Sequence, residues 1–253
     1  MGSFLQQTGL TRPTIKHTTE NFMGTESRIS HLGALPFSNE NSRLVRTIWS
    51  PHQIPHTALM GVEQTQYFPG GRSATHSDDR SEEIIYFRQG HGQIQLDDRI
   101  VEVGPGTAVV VPKDVVHTVR NTGSDMLEHI LVTGNLTLDS LPASPLPASL
   151  DYLIGGEAHG LQRLSAFRVE IPPGGTTEPL TLLDRECVYV LSSGYVVAKV
   201  LTHDFLYDFE YALTVNSSMW VPAGPRHSFR NIGDTTAVLI GFMCLARPDV
   251  PIN

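Results

Sequence analysis

The chain has 253 residues, a net charge of −8, a pI near 5.7 and only 17% charged residues, with 22 Gly and 17 Pro. An acidic chain whose basic residues form no run excludes a nucleic-acid footprint and disfavours anionic membranes. Few charges and many turn-formers point to short strands and corners, and the length allows one large β domain or two modest ones.

In chain order, residues 1–40 read as an N-terminal arm. They lack the apolar segment of a secretory leader, and Gln6 stands where a myristoylation signal needs Ser or Thr. No apolar run reaches membrane-spanning length, so a cytoplasmic protein without a membrane partner is expected. Residues 41–135 read as a first β barrel. Gln93–Leu96 alternates polar and apolar, Asp97-Asp98 turns, Arg99–Val103 resumes, and Gly104-Pro105-Gly106 precedes another strand at Thr107–Val111. Residues 136–155 contain Leu141-Pro142-Ala143-Ser144-Pro145-Leu146-Pro147, a Pro-rich extended linker, with a weak signal for a short helix at Leu150–Ile154. Residues 156–253 read as a second barrel. Cys187 and Cys244 lie in apolar runs and read as small buried hydrophobes.

The two halves repeat. Val111-Pro112 through His117, Arg120, Asn121 and Gly123 recurs without a gap as Val221-Pro222 through His227, Arg230, Asn231 and Gly233. Phe68–Gly71 matches Pro172–Gly175, and Glu83–Phe87 is matched to Glu186–Val190. Three ordered blocks indicate a tandem duplication.

The chemistry concentrates in the first half. His76, Asp78, Glu83 and His117 offer imidazole nitrogen and carboxylate oxygen, the donors that hold divalent Zn, Fe or Mn. Strand alternation lets His76 and Asp78 share one face. Asp79 is a rival for Asp78, a three-residue set of His76, Glu83 and His117 is a second option, and Asp78 is also a candidate catalytic base. Tyr67, Ile85, Phe87, Val119 and Asn121 are the expected substrate-pocket lining, and Glu82 is expected on the face opposite Glu83, near Arg80 or Arg88. His91 and His129 read as surface or core residues. In the second half Glu178, Glu186 and His227 form an expected vestigial site.

Gly71–Gly90 and Gly106–Asn121 resemble the two motifs of the cupin superfamily, most closely over residues 60–133 and more weakly over 165–245. The match departs at Asp78, where the family has a second His, and at Asp114, where it has Gly. The resemblance implies an all-β chain of two tandem jelly-roll barrels, the second degenerate, and one divalent metal per chain, Fe²⁺ or Mn²⁺ with Zn²⁺ as the alternative. It implies a metal-dependent enzyme for a small oxygenated substrate. The first expectation is a non-haem dioxygenase using O₂, similar to quercetinase-like bicupins. Non-redox isomerase, lyase or cyclase chemistry and a non-catalytic binding cupin are the alternatives, with a metal-free epimerase type as a minor one. Apolar edge strands leave a homodimer open.

Overall fold

A computed structural model describes residues 27–155, 157–201 and 208–249; the leader and myristoylation positions of the arm lie outside them. The strands are β1 (Arg28–His31), β2 (Ser38–Glu40), β3 (Arg43–Trp49), β4 (Leu59–Tyr67), β5 (Ser81–Gln89), β6 (Gly92–Leu96), β7 (Arg99–Val103), β8 (Ala108–Val111), β9 (His117–Asn121) and β10 (Leu127–Asn135). The second set is β11 (Asp151–Gly155), β12 (Leu164–Ile171), β13 (Arg185–Ser193), β14 (Val196–Leu201), β15 (Asp208–Leu213), β16 (Ser217–Val221), β17 (Arg226–Asn231) and β18 (Ala237–Leu245). Two single-turn 3₁₀ segments are the only helical elements among the described residues, and no helix there is long and apolar enough to cross a membrane.

The strands build two jelly-roll barrels. In barrel 1 a six-stranded sheet, β2-β3-β4-β10-β5-β8, faces a three-stranded sheet, β7-β6-β9. In barrel 2 the order β11-β12-β18-β13-β16 faces β15-β14-β17, and β1 adds the outer edge beside β16. The large sheets pack against each other through their outer faces. Val62, Ile84, Tyr86, Ile130 and Val132 meet Ala166, Val188, Val190, Ile240 and Phe242 in one buried cluster. Each sheet is therefore apolar on both sides, which explains why Ser81–Phe87 of β5 and Arg185–Leu191 of β13 are buried without interruption. The outer sheets face solvent and alternate, as β6 does.

Residues 27–40 of the arm are tied to both barrels: β1 pairs with β16 of barrel 2, Leu32 is fully buried between the barrels, and β2 pairs with β3 of barrel 1. Within the linker, Leu141 N–H donates to Ala246, and Ser144 bonds both Asp184 and Arg185. The weak helix signal at Leu150–Ile154 is corrected: Leu150 ends a turn and Asp151–Ile154 belong to edge strand β11, where Tyr152 packs on the barrel 2 core and Ile154 on the central cluster. Pairing with β12 and packing against both cores override local propensity here. Both cysteines are free and buried.

Two buried carboxylates lock the barrels reciprocally. Glu82 of β5 accepts the backbone N–H groups of Gln162, Arg163 and Leu164 at 2.6, 2.7 and 2.7 Å. Glu186 of β13 accepts Ala58 N–H at 2.7 Å, the Thr57 hydroxyl at 2.7 Å and the Trp220 indole N–H at 2.6 Å. Glu82 thus sits on the face opposite Glu83, as expected, but its partners are main-chain amides of the other barrel rather than Arg80 or Arg88. Glu186→Ala leaves three buried donors without an acceptor and should cost on the order of 3 kcal/mol. Chemical denaturation followed by Trp fluorescence checks this; an unchanged midpoint would remove the clasp from the stability of the pair.

Candidate metal centre

β9 and the segment before β5 place the two histidines side by side. His76 N–H donates to the His117 carbonyl at 3.1 Å and His117 N–H to the His76 carbonyl at 2.8 Å, a narrow antiparallel bridge. Their rings lie 4.3 Å apart. Glu83 enters from β5, whose odd-numbered residues face the interior, and its Oε2 is 3.2 Å from His117 Nε2. The ligating atoms of His76, Glu83 and His117 all lie within 4.8 Å of one another.

The donor set suits a divalent cation. Nδ1 of His76 faces the Ala74 carbonyl at 3.0 Å and Nδ1 of His117 faces Val115 at 3.2 Å, which leaves both Nε2 atoms for ligation. Two ligands on one cation stand at most about 4.2 Å apart, so a small inward rotation closes the set. His117 is buried, which by itself disfavours its charge. The hydrogen bond and charge of Glu83 outweigh that and hold its pKa above the ordinary imidazole value.

Asp78 does not join this group. Its Oδ1 caps the backbone N–H of Arg80 at 2.8 Å, its carboxylate lies 3.6 Å from Arg80 Nε, and its carbonyl accepts from Asp114 N–H at 2.9 Å. The chain leaves strand geometry after His76, so alternation no longer directs position 78 inward. The expectation that Asp78 ligates, or acts as base there, is corrected to a turn role; Asp79 is solvent-exposed and also outside the group. The other departure is explained by backbone geometry. Asp114 adopts φ +68°, the left-handed region that Asp tolerates, at the place where barrel 2 has Gly224.

The expected pocket lining divides. Tyr67, Ile85, Phe87 and Val119 do face the barrel 1 interior, but each is almost fully buried and they form its packed floor. Asn121 is corrected from pocket to scaffold: its amide donates to the Tyr67 and Asp125 carbonyls and its oxygen accepts from Gly123 N–H. Asn231 repeats these bonds with Ile171, Thr235 and Gly233. The solvent-reachable part of the interior is lined instead by Glu63, Leu131 and Thr133, which the sequence reading missed. Their signal was the same alternation that selected Tyr67.

Among the described residues, barrel 2 carries no such centre. The bridges pair His76 with His117 and Leu180 with His227, while Glu83 pairs with Val111 and Cys187 with Val221. The repeat is therefore shifted by one residue from the sequence match: Cys187, not Glu186, stands in the place of Glu83, and Glu186 corresponds to Glu82. The expected vestigial set is dispersed, with Glu178 exposed and Glu186 in the clasp. His227 hydrogen-bonds the Tyr189 hydroxyl at 2.6 Å, and burial lowers its pKa to about 4. Burial pushes the Cys187 thiol up to about 12.

A cupin-domain family model matches residues 65–133. Protein SchB of Streptomyces halstedii is 30% identical over 123 residues, 48% of this chain and 83% of that protein. The chain belongs to the cupin superfamily. Among solved cupin-fold structures, a variant of Bacillus subtilis oxalate decarboxylase superposes with a TM-score of 0.71 at 13% identity, covering 90% of this chain and 79% of that one. Lactobacillus farciminis oxalate decarboxylase in a formate complex gives 0.70 at 14%, covering 91% and 88%.

His129 lies on the floor of this cupin barrel, stacked on Phe87 at 5.5 Å, with neither ring nitrogen hydrogen-bonded. Burial lowers its pKa to about 3. The unfolded imidazole titrates near 6.5, so the stability this neutral ring permits is complete above that pH and is lost as pH falls toward 3. His129→Leu should therefore remove about 2 kcal/mol of the stability lost between pH 6.5 and 5. Thermal melts at the two pH values check it; parallel shifts in both proteins would contradict it.

Proposed function

We propose that this cupin is a metal-dependent enzyme that processes a small oxygenated organic molecule in barrel 1. The convergence of His76, Glu83 and His117 at the solvent-reachable end of the barrel carries this reading. A bound divalent cation would supply Lewis acidity toward substrate oxygen and, as Fe²⁺ or Mn²⁺, redox capacity toward O₂. The protein provides two imidazoles oriented by main-chain carbonyls and one carboxylate that offsets the charge. Three protein donors, the number found among the described residues, leave room for a chelating substrate and a further small ligand, the pattern of non-haem iron oxygenases. A dioxygenase-type oxidoreductase is the activity this open set fits best. The floor of Tyr67, Ile85, Phe87 and Val119 limits depth and keeps water from the lower face of a bound molecule.

A second reading is non-redox decarboxylase, lyase or isomerase chemistry. It is supported by the fold shared with oxalate decarboxylases and by Glu63, a further carboxylate reaching the same chamber. Barrel 2 serves as a scaffold that covers the outer face of the catalytic sheet. Either chemistry is compatible with a homodimer.

Elemental analysis of purified protein should give near one metal per chain, and His117→Ala should lose it. Oxygen uptake is then measured on a panel of phenols and enolisable acids. Iron with uptake supports the dioxygenase; zinc or manganese turnover without uptake supports the non-redox reading; protein without stoichiometric metal overturns both.

A further inference from the structure

The interior face of β4 is Gly61, Glu63, Thr65 and Tyr67, since Val62 packs between the barrels and Tyr67 belongs to the barrel 1 core. Along this face burial falls toward the open end: Thr65 and Tyr67 are buried, whereas Glu63 and Gly61 are only partly so. The same gradient runs along β10, from buried Leu127 and His129 to partly buried Leu131 and Thr133. Glu63 pairs with Leu131, which pairs with Ile85; Glu83 pairs with Thr133, two residues nearer the open end. The two carboxylates thus stand two strands apart and one inward-facing position out of step. Backbone spacing puts their Cα atoms roughly 12 Å apart, a gap that two inward-reaching Glu side chains reduce to the width of a small organic molecule.

We propose that Glu63 is the catalytic acid–base group of barrel 1, taking a proton from an O–H or acidic C–H of a substrate held between it and the trio of His76, Glu83 and His117. This rests on the metal-enzyme reading above. The substrate class is an enol, phenol or enolisable carbonyl compound. The O–H or C–H bond breaks, its electron pair stays on the substrate as an enolate or phenolate, and the proton makes Glu63 a neutral acid. In the non-redox branch Glu63 then returns the proton to a different atom and becomes a carboxylate again.

The surroundings suit that task. Burial raises the Glu63 pKa above the usual carboxylate range, Glu40 and Glu83 push the same way, and Arg43 and the Thr47 hydroxyl oppose them. A base with a raised pKa holds an abstracted proton more readily near neutral pH. Around it stand Glu40 from β2, Arg43 from β3 and Glu83 from β5, with the imidazoles of His76 and His117 beyond Glu83 and that of His129 deeper on β10.

The test uses the full-length protein loaded with Zn²⁺, with nitrocatechol as a coloured, weakly acidic probe. Calorimetry in buffers of different ionisation enthalpy counts protons released on binding. Wild-type protein, whose Glu63 keeps the abstracted proton, should release about one proton fewer per probe than Glu63→Gln, at equal zinc content and melting temperature. Infrared difference spectra of the wild type supply an independent reading, since a protonated carboxylic acid band should appear on probe binding. Equal proton counts, or no such band, would overturn the role of Glu63 while leaving the metal centre standing. Failure of the wild type to hold zinc would overturn the metal-enzyme reading and this role together.

Discussion

The alternation of β5 sets the rest of the molecule. Glu82 and Glu83 are adjacent, yet one points out of barrel 1 into three main-chain amides of barrel 2 and the other points inward to His117. A strand sandwiched between two cores has no solvent face on which to hide a mis-registered residue. A slip of one position would turn Glu82, Ile84 and Tyr86 into barrel 1 and Glu83, Ile85 and Phe87 toward barrel 2, stripping both carboxylates of their partners at once. The same strand therefore fixes how the barrels meet and where the acid of the candidate metal centre stands. Burying a carboxylate is tolerable on either side only because each finds charge-assisted partners.

Barrel 2 shows what the fold keeps without the trio of two imidazoles and a carboxylate. It keeps the left-handed glycines Gly174 and Gly194 opposite Gly70 and Gly90, the Asn231 clasp opposite Asn121, and the bridge of Leu180 with His227. These are the corners and the seam of the barrel. Its interior instead holds Leu180, Cys187 and Tyr189, the last filling the space beside His227 and packing at 4.7 Å from the Phe229 ring. Apolar bulk replaces charge, and a lone imidazole satisfied by a tyrosine needs no cation.

Much of this was legible in the sequence. The turn residues and short β-branched strands announce an all-β chain, the repeated Pro-His-Arg-Asn block announces two barrels, and the spacing offers His76, Glu83 and His117 together with Asp78 as donors, with the trio alone as the second option. What sequence could not resolve was registration. Glu82-Glu83 offers two adjacent carboxylates, and matching the wrong one to Glu186 hid the reciprocal clasp. Asp78 sits at the spacing of an inward residue, but only the end of regular pairing after His76 reveals that it caps a turn. Leu150–Ile154 looked locally helical because the partner that makes it a strand, β12, is supplied from a distance in space. Glu63 escaped notice because it stands alone in its motif, and only the burial gradient within the barrel distinguishes it from a surface carboxylate.

The central claim is that one cation is held by two imidazoles and one carboxylate inside barrel 1. Anomalous diffraction from crystals of the metal-loaded protein tests it most directly. The expected map has a single strong peak about 2.1 Å from the Nε2 atoms of His76 and His117 and from a Glu83 oxygen, with nothing beside His227. A peak elsewhere, or a trio left apart with ordered water between its members, would contradict it.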